Sequence, residues 1–364
     1  MNIFLLGEPL LLLIMALAFF FSLATSLQVA TRPAAVRTGL VATALTMGQL
    51  IFIVTRFGNL FYLPLLGNMV DQATNSGRTD ILLDQVQWII VASSLGAFAA
   101  LFLLPSSIEL CARGVRSIDH RGSLLRALLN LSRPKAWLSI FAALRRPSLL
   151  GTRLFRLEGL PKKFLFFNVF ATSVWTVGAI AAITVSGLHP EAKQTALLLS
   201  GLVNSFAAIA FSVWVDPQAA HVTDQAKKGI ITERQVIIAS FHLVLGNAVG
   251  ALLGLLLLHP ALFLIGKAAV SIASSGSEAF SAGGWLIGGN AVILLLAGTI
   301  YASRVSAVRT ASIATAVAVF NFFSLLARIA GQIYIPFVDA VTDSLTKRPP
   351  NRALSTFWRT SIGG

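Results

Sequence analysis

Arg32, Arg37 and Arg56 stand five and nineteen residues apart, and the same intervals recur at Arg304, Arg309 and Arg328. Each set lies in otherwise apolar sequence, "TRPAAVRTGLVATALTMGQLIFIVTRFGN" and "SRVSAVRTASIATAVAVFNFFSLLARIAG". A guanidinium stays charged at any physiological pH, and its planar fork matches two oxygens of a phosphate or carboxylate. Arginines repeated within apolar segments are therefore chemistry for holding an anion. Asp71, Asp224 and Asp343 recur seven residues after Pro64, Pro217 and Pro336. They are read as carriers of a coupling proton, as partners of the arginines, or as caps of turns after helices that the prolines terminate.

Such arginines need a setting, and composition supplies it. The 364 residues are 56% apolar and 12% charged, with mean hydropathy +0.80, whereas a soluble chain is about one-quarter charged. Apolar stretches long enough to span a bilayer recur at 10–30, 39–64, 87–109, 165–187, 195–215, 236–258, 283–302 and 311–336. The sixth runs on into "LLLLHPALFLIGKAAVSIA", an extension or a re-entrant piece. Backbone groups in lipid must pair within their own segment, so these stretches are helices. The expected fold is an all-α polytopic integral membrane protein of about eight transmembrane helices. The first stretch reads as a retained span with its N-terminus outside, because its charges, Arg32 and Arg37, follow it.

Lys and Arg number 28 against 14 Asp and Glu, a net charge of +14, and twelve of the cations fall in 112–163. The positive-inside rule makes that loop cytoplasmic. Counting spans outward puts the turns at Arg32/Arg37 and Arg304/Arg309 inside too, and the turn with Asp71, Asp80 and Asp84 outside. The same count leaves the basic tail 344–364 outside, against the rule. Within 112–163, leucines and aromatics alternate with arginines at helical spacing. That pattern fits a helix lying on anionic lipid, at about 1 kcal/mol per basic residue, rather than a nucleic-acid site.

No catalytic, cofactor or metal constellation is visible. Cys111 is the single cysteine, and the five histidines lack ligand spacing. His242 reads as a buried neutral imidazole. Ser200, Gly201 and Asn204 read as small and polar residues for helix packing.

Residues 31–71 align without a gap on 303–343, with twelve of 41 positions identical, so the arginine-bearing hairpin is duplicated. A fainter middle copy lies at "HPEAKQTAL" (189–197), followed by Pro217 and Asp224. It has His189 and Gln194 where the first copy has Arg32 and Arg37. Three spans separate its turn from that of the first copy, so it faces the opposite side, an inverted repeat of the transporter type. The units are 1–111, the basic loop 112–163, the middle repeat with the sixth span 164–282, the last hairpin 283–343, and the tail 344–364.

Two stretches carry a family resemblance. "VRTGLVATALTMGQLIFIVTRFGNLFYLPLLGNMVDQA" and the segment from "LPKKFLFFNVF" through "SVWVDPQAAHVTDQAKKG" resemble the Amj family. The pieces that carry it are Arg37-Thr38, Arg56, Asn59, the Gly67–Asp71 stretch, Asn168-Val169-Phe170, Ser200-Gly201 with Asn204, Asp216-Pro217 and Thr223-Asp224. The resemblance implies a lipid II flippase of the bacterial inner membrane, able to stand in for MurJ in peptidoglycan synthesis, and not an enzyme. Its substrate would be a polyprenyl-diphosphate-linked precursor. Arg56 and Arg328, with Arg37, Arg309, Arg32 and Arg304, are then the expected pyrophosphate ligands. Arg56 and Arg328 are expected near the outer edge of the hydrocarbon, eighteen residues past Thr38 and Thr310. The alternatives are a secondary transporter of a smaller anion and a non-transporting scaffold. The sequence does not fix the oligomeric state.

Overall fold

The structure, a computed structural model, describes residues 8–122 and 161–274, all in helices and short connections. The expected spans at 283–302 and 311–336, the basic loop from 123 to 160, and Arg304, Arg309, Arg328 and Asp343 lie outside the described residues. Eight α-helices are described: α1 (Pro9–Leu27), α2 (Thr31–Thr38), α3 (Val41–Asn75), α4 (Thr79–Arg121), α5 (Lys162–Leu188), α6 (Lys193–Ala210), α7 (Asp216–Lys227) and α8 (Glu233–Ser274). A 3₁₀ turn, Gln28–Ala30, joins α1 to α2, and a π turn, Phe211–Val215, joins α6 to α7. Among the described residues six stretches are long and apolar enough to cross a membrane: Pro9–Thr38, Val41–Asn75, Thr79–His120, Lys162–Leu188, Pro190–Lys227 and Glu233–Ser271. The protein is an all-α multi-pass membrane protein.

The helices overrun the spans expected from hydropathy because the prolines do not stop them. Pro64, Pro105 and Pro260 all lie inside continuous helices. A proline removes one backbone donor, which breaks a helix in water. In a bundle surrounded by lipid, neighbouring helices and local adjustments re-satisfy the freed carbonyl, and no competing water favours the break. The tract after residue 258 is accordingly the continuation of α8 and not a re-entrant piece. Asp71 stands within α3, and Asp224 within α7, so neither caps a turn behind a proline-terminated helix.

Small residues set the helix contacts, as expected where lipid is as apolar as the side chains. α8 carries Gly246, Gly250 and Gly254 at four-residue intervals, and this stripe faces Asn168, Val169, Thr172, Thr176 and Val177 of α5. A Cβ at Gly250 would lie 2.6 Å from the Val169 carbonyl oxygen, so the backbones touch there. Asn168 donates from Nδ2 to the Leu243 carbonyl at 2.9 Å, and Thr172 donates to Asn247 Oδ1 at 3.2 Å. Asn247 in turn donates to Ser26 Oγ at 3.5 Å, drawing α1 into the same seam. The main apolar cluster is built from Leu11, Ile14, Leu66, Leu82, Ile89, Ile90, Val177 and Leu258, on α1, α3, α4, α5 and α8.

The turn between α5 and α6, residues 189–193, meets the far end of α3, where Lys193 Nζ lies 2.9 Å from Asp71 Oδ1 and Thr74 donates to the Gly187 carbonyl at 3.4 Å. The Arg32/Arg37 turn is at the other end of α3.

Candidate functional site

The arginine turn is fixed by its own sequence. Thr31 donates to the Gln28 carbonyl at 2.8 Å, and Thr38 donates to the Ala34 carbonyl at 2.8 Å while accepting from the Leu40 amide at 3.3 Å. Gly39 then reverses the chain in the left-handed region, with φ of 73°, a conformation cheap only for glycine. The result is a two-turn helix, α2, carrying Arg32 and Arg37 between α1 and α3.

Both arginines are met by carboxylates from distant segments. Arg32 Nη2 lies 2.9 Å from Asp216 Oδ1. Arg37 reaches Glu233 Oε1 through Nε at 2.8 Å and Nη2 at 2.7 Å, and Glu109 Oε2 through Nη1 at 3.2 Å. The other oxygen of Glu109 accepts from Arg113 Nε at 3.1 Å. α2 is thus tied to α4, α7 and α8 at one end of the bundle. The approach of Asp216 has a local cause. Pro217 has no amide hydrogen to donate, and the chain ahead of it widens into the π turn Phe211–Val215. None of these side chains is sealed from solvent: exposures run from 13% for Glu109 to 39% for Arg113.

Because α3 continues to Asn75, Arg56 is fifteen residues past Val41 and fifteen short of Asp71. At 1.5 Å per residue its backbone is about 22 Å from each. It therefore stands near the middle of α3, between the end that follows the Arg37 turn and the end that carries the Asp71–Lys193 pair.

The other expected site residues disperse. Asp71 pairs with Lys193, and Asp224 is buried in α7. Ser200 donates to its own helix, to the Leu197 carbonyl at 2.6 Å, and the Gly201 carbonyl accepts from Ser205 at 2.7 Å. Only Asn204 packs across helices. A Cβ at Gly178 of α5 would come within 2.5 Å of its Oδ1, so that oxygen rests on the glycine backbone. Oδ1 of Asn204 makes no conventional hydrogen bond, and a Cα–H of Gly178 is the donor within reach. His242 is buried, its Nδ1 2.9 Å from the Ile238 carbonyl, as expected for a packed imidazole. Among the described residues no group of three His, Cys, Asp or Glu is arranged to hold a metal.

Sequence reasoning passed over Glu109 and Glu233 and gave Asp216 no role of its own. Their signal was present: each is an isolated acid at the end of a long apolar run, where a lone carboxylate needs a cation. The Gly246/Gly250/Gly254 spacing was equally readable.

Comparison with known proteins bears on what this arrangement serves. A family model described as "Alternate to MurJ", Amj, matches residues 17–269 and 290–363. The protein called lipid II flippase Amj of Bacillus subtilis (strain 168) is 28% identical over 241 residues, which cover 66% of this chain and 89% of that protein. No solved structure matches the chain. With a family match over most of its length, this chain belongs to the Amj family.

Proposed function

We propose that this chain is a lipid II flippase, translocating a polyprenyl-diphosphate-linked peptidoglycan precursor across the bacterial cytoplasmic membrane. The observation that carries the reading is the likeness to the Bacillus subtilis flippase over 89% of that protein's length. It is a transporter and not an enzyme: it moves an intact molecule from one leaflet to the other. The chemistry of the chain supports it. The substrate brings a diphosphate into an apolar zone, and Arg32 and Arg37 at one end, with Arg56 at mid-depth, form a descending series of cations for it. In this reading Arg304, Arg309 and Arg328 extend the series from the duplicated hairpin. Asp71, Asp224 and Asp343 serve as coupling or structural carboxylates. The part of the basic stretch that lies between α4 and α5, 123–160, rests on anionic lipid.

The end carrying the Arg37 cluster faces the cytoplasm, where the precursor is made, and the Asp71–Lys193 end faces outward. Cysteine labelling in intact cells tests this. Cys111 is buried and gives little background. Cysteines at Asn75 and Gln194, both exposed beside the Asp71–Lys193 pair, should react with an impermeant maleimide, and one at Ser123 should not. Labelling at Ser123 reverses the orientation. The function itself is tested by depleting the cell's other lipid II flippase. Growth and wall synthesis sustained by this chain alone are expected, and lysis at normal abundance of the protein rejects the proposal.

A further inference from the structure

We propose that Asp216 and Glu233 are exchangeable counter-ions: they occupy Arg32 and Arg37 until a diphosphate displaces them, and that exchange opens this end of the bundle. The inference rests on the flippase reading and adds to it a set of positioning residues and a coupling step. The donor atoms carry the argument. Arg37 has Nε, Nη1 and Nη2 all engaged by carboxylates, and Arg32 is held through Nη2. A phosphate can take the Nε/Nη2 fork of Arg37 only when Glu233 leaves it.

The carboxylates are not equivalent. Glu109 is 13% exposed and is also held by Arg113, so it is the fixed partner that keeps Arg37 oriented. Glu233 and Asp216 are 35% and 29% exposed, and Glu233 stands in the first turn of α8. A pair about one-third exposed is exchanged more readily than a sealed one, since water covers the groups as they part. A diphosphate carries more negative charge than a carboxylate and accepts the same forked donors. It can therefore compete, while the returning carboxylates help release it from this end toward the rest of the path.

The exchange has a mechanical consequence. The pairs that would break are those tying α2 to α7 and α8, whereas the pair with Glu109 of α4 would stay. Binding would thus uncouple the first hairpin from the middle one at one end, while Asp71–Lys193 still joins them at the other. A carboxylate that must be displaced lowers the apparent affinity by the fraction of molecules in which the arginine is free. Removing the competitor should therefore tighten diphosphate binding.

The test uses the full chain in nanodiscs, with a polyprenyl diphosphate lacking a sugar headgroup as the binding probe and a fluorescent lipid II for flipping. Asp216→Asn and Glu233→Gln should each bind the probe about fivefold more tightly or better, and should flip more slowly because release loses its competitor. Glu109→Gln should bind more weakly, since Arg37 loses its fixed support. A merely structural staple predicts the opposite for the first two, weaker or unchanged binding. Unchanged or weaker binding in both, with a wild type that binds and flips, overturns the exchange. Should Asp216→Asn fail to accumulate, Glu233→Gln decides alone, because Arg37 there keeps Glu109. A wild type that neither binds the diphosphate nor flips overturns the flippase reading, and this one with it.

Discussion

Arg56→Ala and Arg328→Ala each abolish flipping while the protein accumulates normally in the membrane. The expectation rests on depth and on duplication. Arg56 stands about 22 Å from both Val41 and Asp71 along α3, in the middle of a stretch long and apolar enough to cross a membrane. An arginine at such depth is costly, by about 2.5–3.5 kcal/mol even on insertion scales, and is retained where it faces a partner or a wet cavity. Loss of one charge-assisted phosphate contact should cost about 2–3 kcal/mol, a factor of about 30–150 in binding. That is easily read as failed complementation under flippase depletion. Lysine separates the two roles the residue can have. If Arg56 serves only to reach the headgroups, Arg56→Lys restores full activity, because lysine snorkels as well. If it grips a diphosphate, Arg56→Lys rescues in part, keeping the charge and losing the fork. Full activity in the Arg56→Ala, Arg328→Ala double variant removes both from the mechanism.

The spans were legible in the sequence because lipid demands long apolar runs, and each of the first six expected stretches coincides with a described helix. Their ends were less legible. Pro64 reads as a stop by the rules of water-soluble helices, yet α3 passes through it for eleven more residues. The site was half visible. The turn holding Arg32 and Arg37 announces itself by duplication and by Gly39, all within a few residues. Its partners do not, because Glu109, Asp216 and Glu233 lie 72, 184 and 196 residues away along the chain. Only the packing of α2 against α4, α7 and α8 brings them together, and that packing is written in small residues whose partners are equally remote.

Gly96→Leu should prevent the folded protein from accumulating, and Gly96→Ala should destabilise it by about 1–3 kcal/mol. At Gly96 the backbones of α4 and α1 are in direct contact, and a Cβ would collide with the carbonyl group of Phe19. Backbone cannot rotate out of the way as a side chain can, so α1 must move bodily from α4. Leu11 and Ile14 would then withdraw from Leu82, Ile89 and Ile90, with which they form the main buried cluster. At the near end Gln85 would lose its 2.8 Å bond to Glu8. The displacement also reaches the site, because α1 runs through the Gln28–Ala30 turn directly into α2. Arg32 and Arg37 would be carried away from Asp216, Glu109 and Glu233. Gly96→Ala is thus expected to lower both thermal stability in detergent and flipping, and to weaken diphosphate binding at Arg37. Gly67→Ala is the control: it lies in α3 with nothing within 4 Å of its Cβ position, and should leave stability and flipping intact. Wild-type melting of Gly96→Ala would mean that α1 can tilt without cost. The arginine turn would then be positioned by its ion pairs and not by the helix that carries it.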